Sequence, residues 1–343
     1  MTLWRTGFEI ELLAPIGASR RDLALAIAAR HPGAGVRRVF HVESEPSKVP
    51  GQPVFDNLTL GFEVHDRDGD LLARCLDDLT LQSDLDREHA PEPGWFRIVS
   101  DDGRLLRLVA RHATVEAPLE DALAPVAALF GTPLERGPNG MFRVIDERGA
   151  SIAIGAPLPG ERHRPCELIT PPLDDDRAER LLDLLTPAQE LGFLLPIEGA
   201  LHIHFDAKPL RDARVFRDLV RFFSRWGPEL RRRVRTNPNC RRLGGWPDAL
   251  LDVVEDPDFA TLSWADARSQ LLTVEFTKYC DFNLRNILLE PPDKDTFEVR
   301  ILPTTLDVSQ VLDAAALFER ILVALVAGPL DSIPEQPVTL RSQ

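Results

Sequence analysis

The sequence predicts an α+β protein, on three observations. Strand-like and helix-like segments are segregated, without the strict βαβ rhythm of a doubly wound parallel sheet. Residues 36–159 read as short β-like runs between the turn signals Asp68-Gly69-Asp70, Asp101-Asp102-Gly103 and Arg148-Gly149. Four apolar runs carry ionisable groups at alternate positions, the period of a strand.

Taken in order, residues 3–13 read as a strand, with a loop at 15–17. Ser19 can cap a helix over 20–30, where Leu23 and Ile27 lie on one face and His31-Pro32-Gly33 stops it. Within 36–159 one helix is expected, at 118–130, closed by Gly131. Gly94-Trp-Phe-Arg-Ile-Val is echoed by Gly140-Met-Phe-Arg-Val-Ile. Two similar hairpins, or a coincidence of turn chemistry, account for the echo without a repeat architecture.

Beyond residue 159, a strand over 166–170 is stopped by Pro171-Pro172. A helix over 174–191 starts with acidic residues that suit its dipole. Next come a strand at 199–206 and a helix at 211–226 with Val215, Leu219, Phe222 and Phe223 on one side. A shorter helix is expected at 263–271, and paired strands at 284–289 and 296–302 around a turn at 291–295. The last helix covers 306–325. No low-complexity linker divides the chain, so 1–343 reads as a single domain, with 36–159 an insertion or a divergent β-rich part.

Composition narrows the function. Hydrophobic residues make up 44% and charged residues 27% of 343 positions, enough for a sizeable core. A formal net charge of −14 argues against a nucleic-acid partner and against an anionic membrane surface. Cys75, Cys166, Cys240 and Cys280 form no CxxC motif and are too sparse for a disulfide scaffold, so reduced thiols are expected. With no signal-peptide pattern at the start and no apolar run long enough to span a bilayer, a cytoplasmic location is expected.

The charged strands carry the chemistry. Glu9 and Glu11, His202 and His204, and Glu298 and Arg300 are i, i+2 pairs, each on one strand face, and Glu167 lies on a fourth strand. Any single pair is what a half-exposed sheet would show. The set differs, because a merely solvated face mixes Lys, Thr, Ser and Arg. Clustered carboxylates raise one another's pKa values unless a cation neutralises them. Carboxylates with an imidazole suit Mg²⁺ or Mn²⁺, and Arg300 would be a fixed positive group suited to a transferring phosphate. No GxxxxGK[ST] or GxGxxG phosphate loop is present. His31, His41, His65, His89, His112 and His163 have no motif company and read as surface or packing residues; Arg231–Arg235 reads as a solvated helix end.

In order, GFEIELLAP (7–15), CELITPPL (166–173), GALHIHFD (199–206) and FEVRILPTTLD (297–307) resemble the amidoligase family, relatives of glutamine synthetase and glutamate–cysteine ligase. TNPNCRRL (236–243) and KYCDFNL (278–284) are similar to further family landmarks, and the match covers 3–30 and about 159–327. The resemblance implies a curved antiparallel sheet of the glutamine-synthetase catalytic-domain type, with helices on its convex face. It implies that ATP phosphorylates a carboxylate substrate and that an amine attacks the acyl phosphate, with small-molecule or peptide carboxylates and amines as substrates. By position, Glu9, Glu11, Glu167, His202 and Glu298 would be metal ligands. His204 would be a metal or nucleotide contact, Arg300 a phosphate or acyl-phosphate contact, and Arg241 a weaker candidate for that role. The family's acidic turn before the Glu167 strand has two candidates, Asp101 and Asp146, of which Asp146 is closer in sequence. A metal-dependent hydrolase and a non-catalytic nucleotide- or carboxylate-binding homologue are the alternatives, and nucleotide dependence separates them.

Overall fold

The computed structural model describes residues 4–46, 54–241, 243–275, 277–291 and 294–334. Among them the strands are β1 (Thr6–Leu13), β2 (Gly35–Pro46), β3 (Val54–His65), β4 (Leu71–Leu76), β5 (Phe96–Ser100) and β6 (Glu135–Arg136). They continue with β7 (Phe142–Ile145), β8 (Ser151–Pro157), β9 (Pro165–Ile169), β10 (Ala200–Asp206), β11 (Phe282–Asn283) and β12 (Thr296–Pro303). The helices are α1 (Arg20–Arg30), α2 (Gly103–His112), α3 (Leu119–Phe130), α4 (Arg177–Glu190) and α5 (Ala213–Val234). After them come α6 (Asp248–Val254), α7 (Trp264–Leu271), α8 (Arg285–Leu289) and α9 (Val308–Ala327). The chain is thus a mixed α and β protein whose strands form open antiparallel sheet.

Two compact units result. The first comprises Met1–Ile10, Thr170–Thr186 and Ile197–Gln343; the second comprises Glu11–Ile169 and Pro187–Pro196.

In the second unit β3 is the spine. One of its edges pairs with β2 along the full length, and the other takes β5 and then β4. β4 continues to β9, and β5 to β8, β7 and β6. Leu58, Leu60 and Ile98 on these strands pack against Leu106 and Val109 of α2 and Leu123 and Val126 of α3. Arg20, fully buried at the start of α1, ties the unit together. Its Nε donates to the Leu60 carbonyl at 2.9 Å and its Nη1 to that of Arg162 at 2.8 Å, and the guanidinium lies 4.5 Å over the Trp95 ring. Ser19 and Asp22 form the expected cap of α1.

Helix α2 corrects the expectation of one helix in 36–159. Asp101-Asp102-Gly103 is not a hairpin turn: the Asp102 carboxylate accepts from Arg104 N at 2.9 Å and starts a helix. The echoed segments are therefore not two similar hairpins. Only the second, β7, turns back at Asp146–Gly149 into β8, whereas β5 runs into α2; both strands pair with β8.

In the first unit the strand order is β11-β12-β10-β1, all antiparallel. Phe8, Ile10, Ile203, Phe205, Phe297, Val299 and Ile301 point to one side and are buried. The aromatic packing beneath them centres on Phe223 of α5, whose ring lies 4.3 Å from Phe282 and 5.3 Å from Phe297. Thr170–Leu173 lies along the start of β1: Thr170 N donates to Phe8 O at 2.9 Å and Phe8 N to Thr170 Oγ1 at 3.0 Å. Pro171 and Pro172 have no N–H to extend the pairing, which resumes at Leu173 with Thr6.

Three readings of this unit change. Residues 284–289 are not a strand paired with 296–302. Asn283 Oδ1 accepts from Arg285 N at 2.9 Å and opens the short helix α8, which Glu290 ends in a left-handed conformation (φ 51°). The strand that pairs with β12 here is instead β11, just before it. Helix α5 continues past Gly227-Pro228 to Val234, where Arg235 (φ 56°) stops it. Helix α6 had no counterpart in the sequence reading. Among the described residues no helix is long and apolar enough to cross a membrane, and all four cysteines are free.

Candidate active site

The polar face of β1, β10, β12 and β11 in the first unit is set by register. Antiparallel pairing places Glu9 opposite His202, His204 opposite Glu298, and Glu298 opposite Asn283. Directly opposed residues hold their Cβ atoms about 4.5–5.5 Å apart, so the side chains must meet. All five are at most 6% exposed. A one-residue slip would turn every one of them into the aromatic core.

The contacts follow. His202 Nδ1 lies 3.3 Å from Glu9 Oε2 and 3.7 Å from Glu298 Oε1. His204 Nε2 lies 3.1 Å from Glu9 Oε1 and 3.9 Å from Glu298 Oε1. The other nitrogen of His204, Nδ1, is 2.9 Å from Thr296 Oγ1. Asn283 Nδ2 donates to Glu298 Oε2 at 2.7 Å, and Arg300 Nη1 to Glu298 Oε1 at 2.5 Å. Lys294 Nζ donates to Glu9 Oε1 at 2.7 Å.

Burial alone would raise both carboxyl pKa values. For Glu9 it is outweighed by the Lys294 ammonium and the two imidazoles, which hold the group well below the usual carboxylate range. For Glu298 it is outweighed chiefly by Arg300, then by His204 and Lys294, with Glu9 opposing them. Burial, reinforced by Arg300, pushes His202 down against the pull of the two carboxylates, towards the neutral form. The face therefore presents two carboxylates held in their ionised form beside His202, displaced towards its neutral form.

Glu9, His204 and Glu298 each offer one ligand atom, and these atoms lie within 4.8 Å of one another. His204 Nε2 is buried and faces both carboxylates. When Nδ1 donates to Thr296, Nε2 carries the lone pair, which is how a ligating histidine is usually held. Oxygen and imidazole donors without thiolate fit Mg²⁺ or Mn²⁺.

Of the residues expected from the sequence, Glu9, His202, His204, Glu298 and Arg300 come together on this face. Glu11 and Glu167 belong to the second unit, the first buried and the second half-buried. Arg241 is engaged otherwise, its Nη2 3.4 Å from Glu198 Oε1. Asp146 closes the β7–β8 turn by accepting from Arg148 N and Ala150 N, and Asp101 is an exposed residue just before the cap of α2.

A family model described as "Putative amidoligase enzyme" matches residues 2–322. The chain belongs to that family. No curated protein and no solved structure matches it. An amidoligase is an amide-bond-forming enzyme, so the buried Glu/His face is to be read with that chemistry in mind. Three of this amidoligase's contacts carry no sequence signature: Asn283, Lys294 and Thr296. Asn283 lies in a segment noted only as a landmark, and Lys294 in one read only as a turn. Lys294 is one of four lysines among 40 basic residues, the one signal that could have drawn attention to it.

Proposed function

We propose that the protein is an ATP-dependent carboxylate–amine ligase acting through an acyl phosphate, on a sheet of the glutamine-synthetase catalytic-domain type. The observation that carries this is the buried ladder of Glu9, His202, His204 and Glu298, with His204 Nε2 turned towards two carboxylates. Glu9, His204 and Glu298 would hold Mg²⁺ or Mn²⁺. Such an ion supplies neutralisation of phosphate charge as phosphoryl transfer proceeds.

The chain's own groups have separable tasks. Thr296 fixes the His204 ring, and Asn283 holds one Glu298 oxygen so that the other faces His204 and Arg300. Arg300 orients Glu298 and is the phosphate contact, its planar fork suited to two phosphate oxygens. His202 stays neutral between the carboxylates. A substrate carboxylate oxygen attacks the terminal phosphorus of ATP and ADP leaves. The amine nitrogen then attacks the acyl carbon, phosphate leaves with the C–O electron pair, and the nitrogen gives up its proton. No nucleophilic Ser or Cys is needed, because positioning and charge neutralisation do most of the work.

The test is ADP release measured over panels of carboxylates and primary amines in the presence of Mg²⁺. The reading requires release that depends on one carboxylate and one amine together and is abolished in Glu298→Gln. Substrate turnover without nucleotide would assign a hydrolase instead.

A further inference from the structure

Two groups converge on one oxygen of Glu9. Lys294 Nζ lies 2.7 Å from Oε1 and His204 Nε2 lies 3.1 Å from the same atom. They arrive differently. His204 is fixed on a strand and buried, whereas the Lys294 side chain is 49% exposed. It reaches in on a flexible four-carbon stem, two residues before β12 begins.

We propose that Lys294 is a tethered cation that competes with a divalent metal ion for Glu9 and so sets the metal affinity of the site. The proposal rests on the metal reading given above. Its basis is charge and access. Glu9 and Glu298 bring two negative charges to the face, and Lys294 and Arg300 bring two positive ones. A divalent ion held by Glu9, His204 and Glu298 would add two positive charges beside the ammonium and claim the oxygen it is bonded to. Charges this close repel even where water reaches one of them. One cation has to yield. Arg300 is only 12% exposed and is carried on β12 against Glu298. Lys294 enters from solvent and can return to it. Metal loading is then coupled to release of the loop residue that covers the Glu9 end of the ladder.

The experiment titrates the full chain with Mn²⁺ by calorimetry, comparing wild type with Lys294→Met, whose unbranched side chain is one atom shorter and carries no charge. In parallel, lysines are acetylated with an N-hydroxysuccinimide acetate, with and without Mn²⁺, and each site is quantified by mass spectrometry. Lys294→Met should bind Mn²⁺ at least about tenfold tighter. Mn²⁺ should raise acetylation at Lys294 several-fold while leaving exposed Lys208 unchanged. Wild type that binds Mn²⁺ with Lys294→Met equal or weaker, or with Lys294 reactivity unmoved at saturation, overturns the proposal alone. Wild type that binds no Mn²⁺ at millimolar concentration overturns it together with the metal reading. Matching melting temperatures of the two proteins show that any affinity change is not a folding defect.

Discussion

Thr296→Val removes one hydroxyl and little volume, at a strand position where valine is at home. That hydroxyl lies 2.9 Å from His204 Nδ1, in a ring that is 5% exposed. Leaving a buried polar nitrogen without its partner costs about 1–3 kcal/mol. Thr296 itself is half-buried, so water reaches the gap in part, and the lower half of that range, about 1–2 kcal/mol, is expected. The second effect is on the metal. With Nδ1 unpartnered, the ring can swap its tautomer and put the proton on Nε2, which then has no lone pair for a ligand. Loss of such an outer partner typically costs about 10–100-fold in metal affinity. Urea unfolding measures the first effect, Mn²⁺ calorimetry the second, and ¹⁵N NMR of the histidines reports the tautomer directly. A variant with unchanged unfolding midpoint, affinity and tautomer would refute the reasoning, since Thr296 would then not be holding His204.

Three further outcomes are expected. Arg20→Met removes one of the two guanidinium partners of buried Asp77, which keeps Arg162, and takes the donor from the Leu60, Arg162 and Pro165 carbonyls; urea unfolding should show a loss of about 3–5 kcal/mol. Burial alone would raise the Glu63 carboxyl, but hydrogen bonds from Arg74 and His65 outweigh it and hold it below its ordinary 4.5. With the folded pKa depressed, its contribution is present above about pH 4.5 and lost as pH falls through the folded value. The urea midpoint of Glu63→Gln should thus lag wild type at pH 7 and converge with it in acid; a constant gap would exclude the linkage. Arg300→Lys should fold normally and lose about 10²–10³ in turnover. A lowered melting temperature with an unchanged rate per folded molecule would reduce Arg300 to a structural partner of Glu298.

Much of the candidate site was legible because a strand's period is 2, and charged residues at that period in apolar runs stand out. Glu9, His202, His204, Glu298 and Arg300 were found this way, and the register then explained why they meet. What the sequence hid is set by contacts between distant segments. Asn283 becomes a partner of Glu298 only because β11 pairs with β12, and Lys294 reaches Glu9 from 285 residues away. The fold was misread where local chemistry was ambiguous. Asn283-Leu284-Arg285-Asn286-Ile287-Leu288-Leu289 carries an apolar run short enough for a strand, yet the Asn283 side chain bonds Arg285 N and turns the chain into α8. Asp101-Asp102-Gly103 looks like a hairpin turn and serves as a helix start. Gly227-Pro228 looks like a helix stop, but packing of α5, with Phe222, Phe223 and Leu230 buried on one side, carries the helix through.

The most direct test follows an oxygen atom. Once the ADP-release screen yields a carboxylate–amine pair, the carboxylate is supplied with both oxygens as ¹⁸O and the products are analysed by mass spectrometry. A ligase working through an acyl phosphate transfers one ¹⁸O per turnover to inorganic phosphate and leaves the other in the amide. Phosphate without ¹⁸O, or label recovered in AMP, would contradict the account.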